Sequence, residues 1–223
     1  ASESNYIEGQ TLGSGVYAQN DGTTLLEDNI AFRNFTIGLK AYGKAGGVNG
    51  FHLVGNTVFD NGLFQILGSG DGPVSDFKLL DNMSYLTPGH RGYGVWAGFE
   101  ASDKRDVEIR GNYFGGGNAH GNLKILRFSD VIVEDNVFVA QSGGKFPGGG
   151  SFVWWEPGAS GSVRFENNRY HSINTEASPF IRLVRNGQGQ GDRYTFQQWV
   201  STTRLDASSS YSSGRPANTI IMR

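Results

Sequence analysis

Several short segments of this chain carry a basic residue between two apolar residues. Lys40 and Lys124 each stand between two apolar residues, a pattern typical of a strand with one buried face. Both lysines would then lie on an outer surface. A lysine whose pKa is lowered by nearby arginines can remove a proton alpha to a carboxylate, and a tyrosine can protonate the leaving oxygen. The candidate catalytic residues are Lys40, Tyr42, Lys124 and Arg127.

Aromatic and further basic residues occupy comparable positions near the other apolar segments. Aromatic rings stack on sugar rings, whereas Lys and Arg bind carboxylate or sulfate groups. The predicted binding row consists of Tyr17, Lys40, Tyr42, Gln65, Arg91, Trp96, Lys124, Arg127, Trp155 and Arg182. Its spacing suits a stretched acidic polysaccharide better than a compact metabolite. A plain scaffold face is the alternative, because single aromatic and basic residues are common on solvated surfaces.

An eight-residue phrase predicts the elements that carry this row. It reads apolar, any, apolar, any, a turn residue (Gly, Asp or Asn), Asn, any, and a small or apolar residue. The asparagines of its six copies are Asn29, Asn56, Asn82, Asn112, Asn136 and Asn168. A period of about 25 residues that is carried by strand residues indicates stacked repeats.

Three short strands fit into each repeat, and no helical period lies between them. This organisation describes one coil of a parallel β-helix, with coils stacked at roughly 4.8 Å. We therefore predict an all-β, single-stranded parallel β-helix of about six to seven coils over residues 1–191. Residues 192–223 would form a capping segment and a terminal strand at 219–223, and Thr195 and Gln198 fit a capping box.

The recurring positions of the phrase have structural roles in this prediction. The asparagines would bond from coil to coil as a ladder, because Asn tolerates a left-handed backbone and bonds the peptide groups of its own turn. Aromatic residues near the end of each phrase would stack mainly in the core. They are Phe32, Phe59, Tyr85, Phe114, Phe138 and Tyr170.

The repeats also resemble a known family. The phrase VEIRGNYF (107–114) looks like the repeats of right-handed parallel β-helices in the pectin-lyase-like superfamily. The stretches GVYAQN, LEDNIAF, GLKAYG and GFHLVGNTVFDNG within 15–62, and YTFQQWVSTTRLDASSS at 194–210, are similar to secreted bacterial proteins of this kind whose activity is undefined. The resemblance implies a right-handed coil and an extracellular or cell-surface location. It implies little about activity, since the superfamily includes lyases, hydrolases, epimerases and binding proteins.

If the protein is a lyase, each candidate lysine needs its own partners. Lys40 and Lys124 would stand three coils apart, roughly 14 Å at strand spacing, so they cannot serve the same bond. Tyr17, Tyr42 and Gln65 would accompany Lys40, whereas Arg91, Trp96 and Arg127 would accompany Lys124. The row has neither clustered aspartates nor the paired carboxylates of glycoside hydrolases, which disfavours a calcium-dependent lyase and a polygalacturonase-type hydrolase.

A second outer face is predicted to be structural. Lys78 would lie beside Glu108, and Arg110 beside Glu134, one coil apart, and such pairs stabilise a sheet by about 0.2–1 kcal/mol each. His52 on this face is a poor candidate metal ligand, because the sequence gives it no second histidine and no carboxylate ladder. We predict neither a metal nor a cofactor.

Composition limits the partners. The chain has 223 residues, 19 basic and 21 acidic, with no cysteine. Near-neutral charge gives no bulk attraction to nucleic acid or to membranes, and no stretch approaches the ~18 apolar residues that span a bilayer. The expected partner is a polysaccharide. One alternative is a non-catalytic module, either a fragment or a naturally short β-helix, that self-associates end to end through uncapped coils. Another is a phage-type receptor-binding spike.

Overall fold

Alternating apolar residues form short strands that follow one another in sets of three. The computed structural model describes residues 13–19, 22–87, 90, 92–99, 103–116, 121–140, 151–173, 181–184, 191–214 and 216. The first strand is β1 (Val16–Ala18), and the first two sets are β2 (Thr24–Glu27), β3 (Ile30–Phe32) and β4 (Ile37–Gly43), then β5 (Val48–Val54), β6 (Thr57–Phe59) and β7 (Phe64–Gly70). The next two are β8 (Val74–Leu80), β9 (Met83–Tyr85) and β10 (Tyr93–Phe99), then β11 (Val107–Arg110), β12 (Tyr113–Gly116) and β13 (Leu123–Leu126). The last two are β14 (Val131–Glu134), β15 (Val137–Ala140) and β16 (Val153–Glu156), then β17 (Val163–Glu166), β18 (Arg169–Ser172) and β19 (Ile181–Leu183). They are followed by β20 (Asp192–Tyr194), helix α1 (Phe196–Thr203) and β21 (Ser210–Ser213).

Equivalent strands of successive sets pair into three sheets. Sheet A has the order β1-β4-β7-β10-β13-β16-β19-β20, sheet B the order β2-β5-β8-β11-β14-β17, and sheet C the order β3-β6-β9-β12-β15-β18-β21. The pairs are parallel, apart from the antiparallel pair β19–β20. The described chain makes about five turns in this way, compared with the six to seven coils predicted for residues 1–191. The predicted all-β parallel solenoid with three strands per coil is therefore confirmed, whereas its right-handedness stays a prediction.

Each coil turns from sheet B to sheet C at a left-handed residue that precedes the asparagine of the phrase. These residues are Asp28, Gly55, Asp81, Gly111, Asp135 and Asn167, with φ between 54° and 66°. Gly, Asp and Asn are the residues that adopt this conformation at least cost. The turn residue of the sequence phrase thus has a conformational cause.

The predicted asparagine ladder is present. The backbone N and the Nδ2 of Asn112 both donate to Oδ1 of Asn136 at 3.0 Å, and Asn82 donates to Asn112 in the same way at 2.8 and 3.0 Å. Nδ2 of Asn112 also reaches the carbonyl oxygen of Leu79 at 2.8 Å. Because Asn112 is almost fully buried, these bonds satisfy groups that water cannot reach.

The aromatic prediction is half right. Phe114, Phe138 and Tyr170 are buried and stack in the core with ring centroids 5.2 and 5.1 Å apart. Phe32, Phe59 and Tyr85 also stack, at 5.0 and 4.9 Å, but on the outer face of sheet C, where Phe32 is 49% exposed. The prediction was wrong for this second set because its members align with Gly115 and not with Phe114. A shift of one residue moves a side chain to the other face of a strand.

Helix α1 covers the core near the last coil. Its predicted capping box is confirmed, since Oγ1 of Thr195 accepts from the backbone N of Gln198 at 3.2 Å and Oε1 of Gln198 accepts from the backbone N of Thr195 at 3.0 Å. Trp199 is fully buried and meets the rings of Trp155 and Phe165 edge to face. The terminal strand predicted at 219–223 lies outside the described residues. Among the described residues, no helix has the length and apolar character needed to span a bilayer.

Candidate functional site

The outer face of sheet A carries one column of side chains that runs along the solenoid. Strand register aligns Tyr17, Lys40, Leu67, Trp96, Lys124, Trp154 and Arg182. We call these residues the outer column. Adjacent members belong to neighbouring coils, so their backbones are about 4.8 Å apart. Five of the seven were in the predicted binding row.

Five of the ten predicted residues are not in the outer column, and two of them, Gln65 and Trp155, are buried. Gln65 is buried, and its Oε1 accepts from the backbone N and Nδ2 of Asn61 at 2.9 and 3.0 Å. Gln65 therefore belongs to a second, shorter amide ladder, which begins with the bond from Asn34 to Asn61.

Trp155 is the other misplaced residue. Val153 pairs with Leu123 and faces the core, so the alternation directs Trp154 outward and Trp155 inward. Trp155 is 6% exposed. In the run Val153-Trp154-Trp155 every residue is apolar, and the pattern could not show which indole faces out. The sequence pattern therefore gave no sign of Trp154 as an outward-facing residue.

Cations and indoles alternate in the second half of the outer column. Lys124 Nζ lies 4.0 Å from the ring centroid of Trp96 and 4.0 Å from that of Trp154. Trp154 also contacts the next cation of the column, since the guanidinium carbon of Arg182 lies 4.4 Å from its ring centroid. Each cation is thus held by the negative face of an aromatic ring. The order is aromatic, cation, aromatic, cation.

The environment of Lys124 also changes its protonation. Burial lowers the pKa of Lys124 to about 8, the charge of Glu156 opposes this shift, and the charge of Arg182 adds to it. Burial and the charge of Arg193 likewise lower the pKa of Arg182. A lysine with a pKa near 8 is mostly protonated at neutral pH and loses its proton at a mildly alkaline pH.

Lys40 forms a separate group near the other end of the column. Its Nζ lies 5.2 Å from the ring centroid of Tyr17 and 4.9 Å from that of Tyr42. Tyr42 Oη donates to Asp71 Oδ2 at 3.1 Å. The structure therefore brings Lys40, Tyr17 and Tyr42 together as predicted. Lys40 is only 8% exposed, which makes it less accessible to a ligand than the sequence suggested.

An apolar block separates the two lysine groups. Leu67 and Trp96 of the outer column pack with Ile37, Phe64 and Tyr93. Leu67 is 4% exposed and Trp96 is 9% exposed. The residues of the predicted row therefore form two groups, one around Lys40 and one around Lys124, and a buried apolar segment separates them.

Arg127 lies at the edge of the Lys124 group. It follows β13 in a left-handed conformation, φ 59°, and its Nε contacts Glu156 Oε1 at 2.9 Å. The Arg127 side chain is 63% exposed, whereas that of Glu156 is 10% exposed. Arg91, which was predicted beside them, lies outside the described residues.

Of the two ion pairs predicted on the outer face of sheet B, one is present. Arg110 and Glu134 are 2.8 Å apart, and Glu134 also pairs with Arg164. Lys78 aligns with Glu108, but the ion pair it makes, at 2.9 Å, is with Asp76 of its own strand.

His52 has a carboxylate partner that the sequence did not reveal. His52 Nε2 lies 2.8 Å from Asp76 Oδ2. Burial acts to raise the pKa of Asp76, but the hydrogen bonds with Lys78 and His52 outweigh it and hold that pKa below its ordinary value. Among the described residues, no group of three or more His, Cys, Asp or Glu could hold a metal ion.

Comparison with known protein families, with curated proteins and with solved structures finds no match to this chain.

Proposed function

We propose that the protein binds an acidic polysaccharide on the outer face of sheet A. The observation that carries this proposal is the Lys124 ammonium held between the indoles of Trp96 and Trp154, 4.0 Å from each. Aromatic faces fix a cation without neutralising it, in contrast to a carboxylate partner. The positive charge of Lys124 therefore stays available to an anionic ligand.

The arrangement of charges suits a linear polyanion. Lys124 and Arg182 stand two coils apart in the column, roughly 10 Å at strand spacing, with the ring of Trp154 between them. A chain with repeated carboxylate or sulfate groups can meet Lys124 and place a sugar near the indole of Trp154. Arg182 is 5% exposed, so its contribution is the positive potential that its charge adds there. Lys and Arg recognise such groups, and the planar Arg fork does so with two parallel hydrogen bonds.

The resemblance of the repeats to the pectin-lyase-like superfamily supports this proposal. The resemblance also implies a right-handed coil and an extracellular or cell-surface location, where acidic polysaccharides occur. These belong to the proposal, since fold similarity alone does not give function.

The same group also supports a lyase reaction. Because its pKa is about 8, a fraction of Lys124 is neutral near pH 7 and can accept the proton alpha to a uronate carboxylate. Arg127 or Arg182 would stabilise the negative charge that develops on that carboxylate. As the proton leaves, a carbon–carbon double bond forms, the bond to the glycosidic oxygen breaks, and water supplies the proton that this oxygen takes up. Tyr42 is not the donor, because it lies with Lys40 three coils away.

Titration calorimetry with polygalacturonate, alginate and a neutral glucan tests binding. We expect the protein to bind an acidic chain and not the neutral one, and Lys124→Met to weaken binding about tenfold, the size of one lost charge-assisted contact. Lys78→Met on sheet B is the matched control for net charge. Equal losses in the two variants, or equal binding of acidic and neutral chains, would refute the proposal. A rise in ultraviolet absorbance with the acidic chains would show the unsaturated lyase product.

End-to-end association is a second candidate, favoured by one specific observation. Large apolar side chains are exposed on β1, β2 and β3, where each sheet has an edge among the described strands: Tyr17 49%, Leu25 56%, Ile30 69% and Phe32 49%. Strand edges pair readily with another chain. Light scattering should then give a mass above the monomer that Ile30→Asp reduces, and a monomeric mass for the unaltered protein at high concentration would exclude this candidate.

A further inference from the structure

Two tyrosines form an aromatic pair at the opposite end of the outer column from Arg182. The rings of Tyr17 in β1 and Tyr42 in β4 are nearly parallel, with an interplanar angle of 26° and centroids 6.2 Å apart. Lys40 Nζ lies 5.2 and 4.9 Å from the two centroids and holds both rings by cation–π attraction. Tyr17 is nevertheless 49% exposed, which leaves apolar ring surface for a ligand. We call Tyr17 and Tyr42 the tyrosine pair.

Polar side chains fix the hydroxyl groups of the tyrosine pair and face solvent beside it. Tyr17 Oη donates to Gln19 Oε1 at 2.8 Å. Tyr42 Oη donates to Asp71 Oδ2 at 3.1 Å. Gln19 and Asp71 are both exposed. Because a carboxylate accepts about four hydrogen bonds and the amide nitrogen of Gln donates as well, both side chains keep capacity for the hydroxyl groups of a ligand.

The charges of this group favour an uncharged ligand. Lys40 is only 8% exposed, whereas Asp71 is exposed. A ligand therefore meets the carboxylate more readily than the ammonium, and a uronate would be repelled by it. An uncharged sugar offers an apolar face of C–H groups to the Tyr17 ring and hydroxyl groups to Gln19 and Asp71.

The tyrosine pair and the group around Lys124 thus present different chemistry along the same column. Tyr17 stands four coils from Lys124, roughly 19 Å at strand spacing, and the buried apolar segment that contains Leu67 lies between them. An extended polysaccharide that places an acidic sugar at Lys124 can therefore place another of its sugars against the tyrosine pair.

We propose that the tyrosine pair, together with Gln19 and Asp71, is a subsite for an uncharged sugar. The ligand of the protein is then a polysaccharide in which uncharged sugars separate the acidic ones, and not a homopolymer of uronates. This inference deepens the proposed function and rests on it for the acidic part of the ligand. The subsite by itself binds weakly, so a neutral chain, which has no group for Lys124, stays below the range of calorimetry.

Calorimetry with two kinds of acidic oligosaccharide tests the subsite. Hyaluronan and gellan oligosaccharides carry uncharged sugars between their uronates, whereas oligogalacturonate carries none. We expect Tyr17→Ala to weaken binding of the mixed chains about fivefold and to leave oligogalacturonate binding unchanged. Asp71→Asn removes the repelling charge and should strengthen oligogalacturonate binding about threefold. Tyr211 on sheet C is 43% exposed, and the matched control Tyr211→Ala should change neither affinity.

The outcomes separate this inference from the proposed function. If the protein binds oligogalacturonate but neither mixed chain, or if Tyr17→Ala binds the mixed chains as Tyr211→Ala does, the subsite is overturned and the proposed function stands. If no acidic chain binds, the proposed function fails, and the tyrosine pair is then judged alone. Saturation-transfer NMR, which detects millimolar binding, should show contact with cellohexaose that Tyr17→Ala abolishes. No transfer, or transfer that Tyr17→Ala retains, overturns the subsite.

Discussion

Asn168 Nδ2 donates a hydrogen bond of 2.9 Å to Asp206 Oδ1, and this bond joins the asparagine ladder to the segment after helix α1. Asp206 is 1% exposed, and its Oδ2 accepts from Tyr170 Oη at 2.7 Å and from Trp199 Nε1 at 3.1 Å. One carboxylate therefore completes the ladder, the core aromatic stack and the cap. Burial, together with the charge of Asp206, raises the pKa of Tyr170 well above its ordinary value, which keeps the phenol a donor.

Removal of this carboxylate should destabilise the protein strongly. Asp206→Ala leaves three buried donors without an acceptor, and it places alanine at a left-handed position, φ 59°. We expect a loss of about 3–5 kcal/mol in the free energy of unfolding, measured by urea denaturation with tryptophan fluorescence. Asp206→Asn should lose less, because it keeps one acceptor and tolerates the left-handed backbone.

Asp192 provides the matched control for Asp206. It is exposed and makes a long contact of 3.4 Å with Tyr194, so Asp192→Ala should change stability by less than about 0.5 kcal/mol. Equal effects of the two alanine substitutions would show that Asp206 does not hold the cap.

An interior ladder position should matter more than an outer one. Asn112 accepts from Asn82 and donates to Asn136, and it is buried. Asn112→Ala should therefore cost about 2–4 kcal/mol in the free energy of unfolding. Asn29 lies at the other end of the ladder and is partly exposed, so water can replace its bonds and Asn29→Ala should cost about 1 kcal/mol. Equal losses in urea denaturation would argue against a cooperative ladder.

The sequence predicted the ladder well because its causes are local. A left-handed turn residue followed by Asn is required in every coil, so Asp81 before Asn82 and Gly111 before Asn112 leave a regular record. The register of sheet A was harder. The length of chain between each Asn and the following strand varies, and apolar runs such as Val153 to Trp155 carry no alternation from which a face can be assigned.

The structural roles of Asp206 and Lys104 cannot be recognised from the residues next to them in the sequence. Asp206 acquires its role from Asn168, 38 residues earlier, and nothing around it indicates burial. Lys104 is buried because its stem fills the space that the missing side chain of Gly98 leaves. Such contacts arise from stacking of coils and become visible only when the register is known.

The pKa of Lys124 predicts how binding depends on pH. A lysine is charged below its pKa, so lowering that value from 10.5 to about 8 moves the loss of charge into the mildly alkaline range. Binding of polygalacturonate should accordingly weaken as pH rises through about 8, as followed by calorimetry. Lys124→Arg stays charged throughout this range, and its affinity should stay constant. A parallel decline in both proteins would assign the titration to another group.

Two adjacent tryptophans should respond to substitution in opposite ways. Trp154 lies on the outer face and contacts the cations of Lys124 and Arg182, so Trp154→Ala should weaken glycan binding severalfold. It should lower stability less than its neighbour does, because the Trp154 side chain is only partly buried.

Trp155 lies in the core against Phe165 and Trp199. Trp155→Ala should cost about 3–5 kcal/mol in the free energy of unfolding through the cavity it creates, with glycan affinity preserved in the fraction that stays folded. Urea denaturation and calorimetry on both variants measure the two effects separately. The reverse pattern, with binding lost in Trp155→Ala and stability lost in Trp154→Ala, would mean that β16 has the register first expected from the sequence, because a slip of one residue exchanges the two faces of a strand.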